Sequence, residues 1–157
     1  MKKLVVIALF ILAQTQSFSQ NLTIAELTKL IDYSIDEFDT YLTQKGYQYY
    51  GATDIGYSAK VSYAYNSGVG EQYAYVSLYD FHNSETELLC LQTANKSIYL
   101  KIKTELKTLG YKFVNSTSSS EPSTQNLHYS KKNQVAVTLA TISSEEDGIH
   151  YLISIEK

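Results

Sequence analysis

The side chains best suited to catalysis or metal binding are few and scattered along the chain. The histidines, His82, His128 and His150, sit in or beside predicted strands and turns, and none has a second histidine at metal-ligand spacing. The chain contains no G-x-S-x-G, H-E-x-x-H or phosphate-binding glycine motif. We therefore predict a protein that is not an enzyme, with no catalytic residue, no metal site and no cofactor.

Two acidic clusters have simpler explanations than chemistry. Asp32, Asp36, Glu37 and Asp39 surround the start of a predicted helix, where negative charge is favourable. The segment "SSEEDG" at 143–148 carries three acids but lacks the alternating ligand pattern of a calcium loop. We interpret the first cluster as a solvated helix face and the second as a charged hairpin turn.

Cys90 is the single cysteine, in the apolar segment "ELLCLQT". One cysteine cannot form an intramolecular disulfide, so the domain must be stabilised by packing alone. In such surroundings a buried, inert thiol is expected rather than a nucleophile.

The basic residues argue against nucleic acid as a partner. All 13 are lysines, none is arginine, and the formal net charge is −3. Nucleic-acid sites depend on a basic field and on arginine forks, and this chain offers neither.

The N-terminus has the layout of a secretory signal peptide. Lys2 and Lys3 precede an apolar run from Leu4 to Ala13, which is too short to span a bilayer as a mature helix. We predict a signal peptide at 1–20 and a single domain at 21–157. The mature protein is then exported to the periplasm or the extracellular space, without stable membrane insertion.

Tyrosine is the residue with the most conspicuous spacing. Ten of the 15 tyrosines fall within residues 41–79. Five alternate with other residues in two predicted strands: Tyr63, Tyr65, Tyr73, Tyr75 and Tyr79. Tyrosine combines a large rigid ring with a polar tip and is enriched at interfaces, so these five are the candidate binding residues.

The elements that position these tyrosines follow from capping and alternation. Capping-box spacing at Thr23/Glu26 and Ser34/Glu37 predicts helices at about 24–32 and 35–45. Alternating segments predict eight strands, at about 47–52, 57–66, 71–81, 86–93, 111–117, 125–131, 134–142 and 149–156. The Ser-rich stretch at 115–124 is predicted to be an exposed loop.

The chain also shows an internal similarity. "YLTQKGYQYY" and "ELKTLGYKFV" align at an offset of 64, placing Gly46-Tyr47 on Gly110-Tyr111. We predict an α+β fold of two helix-plus-four-strand repeats, about 23–93 and 95–157. The repeats would share one antiparallel sheet with helices packed on one face.

The orientation of the second tyrosine strand stays open at this stage. "QYAYVSL" matches "QVAVTLA" at an offset of 62, which places Tyr73 and Tyr75 in the core. A slip of one residue instead makes Ala74, Val76 and Leu78 the core and exposes a tyrosine row.

This element order over 23–157, with the spacing around Gly46-Tyr47 and Gly110-Tyr111, resembles small secreted proteins of flavobacterial type. More distantly it is similar to the beta-lactamase inhibitor protein architecture. There, duplicated helix-plus-four-strand units leave a concave sheet face free to bind an enzyme. The cysteine pairs of that family are absent here, and no functional residue carries over.

From these observations we predict a non-enzymatic exported module that binds a protein through its tyrosine-rich sheet. An inhibitor or immunity-type protein is a close variant of this hypothesis. The alternative is a periplasmic protein that binds a small ligand or carbohydrate by stacking it on the rings.

Overall fold

The computed structural model describes residues 22–54, 56, 58–66, 73–81, 86–120, 123–145 and 148–157. The predicted signal peptide at 1–20 and His82 lie outside these ranges. Within them the fold is α+β, with three helices and one antiparallel sheet of eight strands.

The first two helices begin where the capping signals predict. The helices are α1 (Ile24–Leu30), α2 (Ile35–Gln44) and α3 (Lys96–Thr108). Thr23 and Ser34 both form complete capping boxes, which satisfies backbone N–H groups that a helix start leaves free. Helices α2 and α3 are each followed by a glycine with positive φ, +85° at Gly46 and +82° at Gly110, so the chain can reverse into the next strand.

The strands follow the helices in two sets of four. The first set is β1 (Gln48–Asp54), β2 (Ala59–Asn66), β3 (Tyr73–Asp80) and β4 (Glu87–Thr93). The second is β5 (Lys112–Ser120), β6 (Ser123–Ser130), β7 (Ala136–Ser144) and β8 (Gly148–Glu156). The order across the sheet is β1-β2-β3-β4-β8-β7-β6-β5, so the two sets join where β4 pairs with β8.

All three helices pack on one face of this sheet, here called the helix face. Their buried side chains, among them Leu27, Phe38 and Ile102, form one cluster with alternate residues of the strands. Cross-strand register places the following sheet members of the cluster on the same side: Val76, Leu78, Leu89, Leu91, Val137, Leu139, Ile153 and Ile155. Alternate residues of an antiparallel strand point to opposite faces, so the intervening side chains form a second face. No described helix packs on that face, which we call the uncovered face.

The stretch predicted as a loop is mostly strand. β5 runs to Ser120 and β6 begins at Ser123, so the loop prediction for 115–124 is wrong. Every residue of β5 is exposed, as befits an edge strand. Its Ser- and Thr-rich sequence lacks the apolar alternation that marks a half-buried strand. Backbone pairing with β6 sets its structure instead.

Among the described residues, no helix has the length and apolar character needed to cross a membrane.

Candidate binding site

Tyr63 and Tyr65 of β2 point to the helix face. Tyr63 is only 2% exposed, and its hydroxyl donates a 2.7 Å hydrogen bond to Asp39 Oδ1 on α2. Its ring meets Phe38 edge-on, with the ring centroids 5.6 Å apart. Tyr65 is partly buried against the core, 5.4 Å from Tyr47 between ring centroids. Both tyrosines are thus part of the packing beneath the helices.

Tyr73, Tyr75 and Tyr79 of β3 point to the uncovered face. Between them lie Ala74, Val76 and Leu78, all buried under the helices. The strand therefore has the register that exposes a tyrosine row, and the offset of 62 that would bury Tyr73 and Tyr75 does not hold. Of the five candidate tyrosines, the structure brings three together on one face and separates the other two from them.

A fourth tyrosine joins the row from the edge strand. The pairing of β1 with β2 shifts between Tyr49 and Gly51, which leaves Tyr50 without a partner on β2. A bulge of this kind redirects a side chain. The Tyr50 ring meets Tyr75 edge-on, with centroids 5.2 Å apart, and Tyr73 stacks on the other side of Tyr75 at 6.0 Å.

Small side chains form the floor beside these rings. Ser62 and Ser77 lie opposite each other on β2 and β3, and their hydroxyls are 2.9 Å apart and buried. Cys90 continues the floor onto β4 and is 9% exposed. Because the floor is low and the rings rise around it, the face contains a depression of about 340 Å³. It is lined by Tyr50, Lys60, Ser62, Tyr75, Ser77, Tyr79, Cys90, Gln92 and Leu152.

The depression offers neutral hydrogen-bonding groups and one cation. Burial raises the pKa of the Tyr75 hydroxyl, with neighbouring Tyr50 and Tyr73 adding to the effect, so this phenol stays protonated. The ammonium of Lys60 lies 5.3 Å from the centre of the Tyr79 ring, within cation–π distance. No carboxylate is among the lining residues that the structure describes.

The surroundings of the histidines and the cysteine that the structure describes can be stated one by one. His128 lies between the hydroxyls of Thr117 and Thr138, at 3.2 Å and 3.0 Å. His150 Nε2 is buried with no hydrogen-bond partner among the described residues. Burial raises the pKa of the Cys90 thiol, which contacts Ser154 Oγ at 3.7 Å. In the part of the chain that the structure describes, no three His, Cys, Asp or Glu side chains converge as metal ligands would.

Sequence reasoning missed Tyr50 because alternation alone does not show which of Tyr49 and Tyr50 faces away from the helices, or that a bulge lies beside Tyr50. Gly51 was the available signal, since an isolated glycine within a strand pattern often marks one. It also missed Lys60 and Gln92, which reach the same depression from β2 and β4. Nothing in their local sequence distinguishes them from ordinary exposed strand residues.

Comparisons with protein families, with curated proteins and with solved structures found no match to this chain.

Proposed function

We propose that the protein is a non-enzymatic binding module that holds a protein partner against the uncovered face, with Tyr50, Tyr73, Tyr75 and Tyr79 as its principal contacts. The observation that supports this most is the row of rings beside a depression on a sheet face that no described helix covers. Tyr63 and Tyr65 have no part in the proposed contact, because they pack in the core.

The rings suit a protein partner for energetic reasons. Tyr50 and Tyr73 are 68% and 41% exposed, so both have surface left to bury on binding. Aromatic anchors packed against a pocket account for much of the binding energy at protein interfaces. A depression of about 340 Å³ has room for a protruding side chain of the partner, with Lys60 and Gln92 at its wall.

The proposed setting is an exported one, in the periplasm or outside the cell. Support comes from Lys2, Lys3 and the apolar run Leu4–Ala13, which have the pattern of a signal peptide. In that setting an inhibitor or immunity-type protein would fit, since such proteins need a rigid surface rather than a catalytic centre. The chain's lack of arginine argues against a nucleic-acid role.

The same proposal includes an internal duplication of helix plus four strands. In its favour, Tyr47 N–H donates to the Leu42 carbonyl as Tyr111 N–H does to Leu106, at 2.9 Å and 3.0 Å. The first strand of each set also shifts register at a corresponding place, between Tyr49 and Gly51 and between Phe113 and Asn115. A duplicated unit of this kind is also the basis of the resemblance to inhibitor proteins.

A second candidate function is binding of a small ligand or carbohydrate. The observation in its favour is the depression itself, whose volume lies at the low end of the range for ligand pockets. Stacking on Tyr75 and hydrogen bonds from Gln92 would suit a sugar ring. Tyrosine fluorescence that shifts saturably with an oligosaccharide panel would favour this function over a protein partner.

Site-directed photo-cross-linking tests the leading proposal. A benzophenone amino acid is placed at position 50 or 73 in the protein as the cell makes it. The matched control is position 100, where Leu100 is 48% exposed on α3. We expect one adduct of the same mass from positions 50 and 73 and none from position 100. Identical adducts from all three positions, or none from 50 and 73 in folded protein, would refute it.

A further inference from the structure

A second concave region lies on the helix face, at the end of the sheet that α2 leaves open. It is a groove of about 760 Å³ between the first turn of α2 and strands β1, β2 and β3. We call it the acidic groove. Its lining residues are Ile35, Asp36, Asp39, Tyr49, Ala52, Thr53, Asp54, Ala59, Lys60, Val61, Tyr63, Leu78 and Asp80.

The floor of the acidic groove is apolar. Val61 and Leu78 are cross-strand partners beneath it, and Ala52 pairs with Val61 from β1. Ile35 and Tyr49 stand at its sides and are 52% and 60% exposed. Apolar side chains from both walls therefore remain available for an occupant to bury.

Negative charge dominates around the groove. Asp36, Asp39, Asp54 and Asp80 supply four carboxylates. Lys60 is the only basic residue among the described residues of the lining, and its ammonium sits over the Tyr79 ring on the uncovered face. The Lys60 ammonium therefore lies outside the groove. None of the described lining residues places a cation inside it.

The hydrogen bonds and ion pairs at the rim decide which carboxylates an occupant can reach. Asp39 accepts from the Tyr63 hydroxyl, whose pKa burial and this bond both raise, so the phenol remains a donor. Asp36 and Asp80 form no ion pair with a lysine of the described residues. Within the described structure, these two exposed carboxylates are thus free to pair with a cation brought by another molecule.

We infer that the acidic groove binds a basic amphipathic segment of a partner protein, in which lysine or arginine alternates with aliphatic residues. Alternation places aliphatic side chains on Val61 and Leu78 while the cations reach Asp36 and Asp80. Complementary charge speeds encounter and excludes acidic competitors. A second copy of this chain is a poorer occupant, because its net charge of −3 opposes approach to an acidic surface.

The probe for this inference is a capped hexapeptide of alternating lysine and valine, titrated into the isotopically labelled protein and followed by NMR. Matched peptides replace either every lysine by glutamate or every valine by serine. We expect saturable shifts at the backbone amides of 35–39 and 49–54 with the lysine–valine peptide. The glutamate peptide should give none, and the serine peptide should bind at least about fivefold more weakly.

Substitutions in the protein test whether the peptide binds in the acidic groove. The double variant Asp36→Asn with Asp80→Asn should raise the dissociation constant about five- to tenfold, as two exposed ion pairs are lost. Its control is Glu145→Gln with Glu156→Gln, which removes the same charge from exposed sites in the turn after β7 and on β8. Ala52→Trp, which fills the groove from an exposed position, should abolish the shifts while the spectrum stays that of a folded protein.

Several results would overturn the inference. Equal losses of affinity in the two charge variants would mean that the peptide is attracted to an acidic protein in general and not to the groove. Shifts at Tyr73 and Tyr75 in place of the groove would move the peptide to the uncovered face. Concentration-dependent self-association that Asp36→Asn with Asp80→Asn reverses would make a second copy the occupant. The groove lies on the opposite face from Tyr50 and Tyr73, so failure here leaves the cross-linking experiment unaffected.

Discussion

Tyr50 and Tyr75 meet edge-on across an intervening strand, with ring centroids 5.2 Å apart and ring planes at 71°. They come from β1 and β3, and β2 between them presents only Ala64 and Ser62 at the nearby positions on this face. Small residues on β2 and the register shift beside Tyr50 together bring the rings into contact. The aromatic row of the uncovered face therefore depends on three strands, and no single stretch of sequence contains it.

The same substitution should lower stability by very different amounts on the two faces of the sheet. Tyr63→Ala should lower the free energy of unfolding by about 3–5 kcal/mol, because it leaves a cavity under α2. Tyr50→Ala should lower it by less than about 1 kcal/mol, because the ring is 68% exposed. Chemical denaturation of both variants measures the difference. Equal losses would contradict the assignment of the two tyrosines to different faces.

The floor of the depression can be tested with a double-mutant cycle. Ser77→Ala removes one partner of the buried 2.9 Å contact with Ser62 and should cost about 1–3 kcal/mol, since the remaining hydroxyl loses its bond. Removing both hydroxyls together should be much less damaging. Denaturation of the two single variants and the double variant supplies the cycle. Strictly additive losses would mean that the two hydroxyls do not interact.

Glu26 should make the free energy of unfolding depend on pH. Burial works to raise its pKa, but the Lys45 ammonium, the Thr23 backbone N–H and the Tyr41 hydroxyl outweigh burial and lower the pKa to about 2. A carboxyl with a lowered pKa stabilises the folded state above its unfolded value, near 4.5. That stabilisation is lost as the pH falls from about 4.5 towards 2.

The variant Glu26→Gln keeps the shape of the side chain and removes its charge. We expect a loss of about 1–2 kcal/mol at pH 7, because the 2.6 Å ion pair with Lys45 is broken. The loss should shrink as the pH falls towards 2, where the wild-type carboxyl begins to be protonated in the folded state. Denaturant titrations at a series of pH values give both numbers, with Asp32→Asn as an exposed control. A loss that does not vary with pH would rule out this electrostatic origin.

The glycine after α3 should be required for its backbone conformation rather than for space. A Cβ at Gly110 would meet no atom within 4 Å, yet its φ of +82° is one that L residues other than asparagine rarely adopt. Gly110→Ala should therefore lower the free energy of unfolding by about 1 kcal/mol, and Gly110→Asn by less. Equal stability of wild type and the alanine variant in thermal denaturation would argue against this explanation.

Much of the fold was accessible from local patterns. Thr23 and Ser34 predicted where the first two helices start because capping is decided within a few residues. The eight strands were predicted for a related reason, since alternation with turn residues is also local. The end of β5, from Ser118 to Ser120, was missed because an exposed edge strand has no buried side to leave a pattern.

The candidate site was harder to predict because it depends on register. Tyr73 and Tyr75 are spaced like Tyr63 and Tyr65. In β2 the tyrosines themselves face the helices, whereas in β3 the residues between the tyrosines do. Whether a strand presents its odd or even residues to the helices depends on pairing across the sheet, and a shift of one residue inverts the answer. Tyr50 required knowledge of the register shift in β1, which only the pairing with β2 reveals.

The measurement that tests the central claim most directly is chemical labelling of tyrosines in the native protein, quantified residue by residue by mass spectrometry. The structure predicts strong labelling of Tyr50 and Tyr73, protection of Tyr63, and uniform labelling once the protein is unfolded. The partner identified by cross-linking should then protect Tyr50 and Tyr73 when it is added. Native labelling of Tyr63 as strong as that of Tyr73 would contradict the two-faced arrangement on which the proposed function rests.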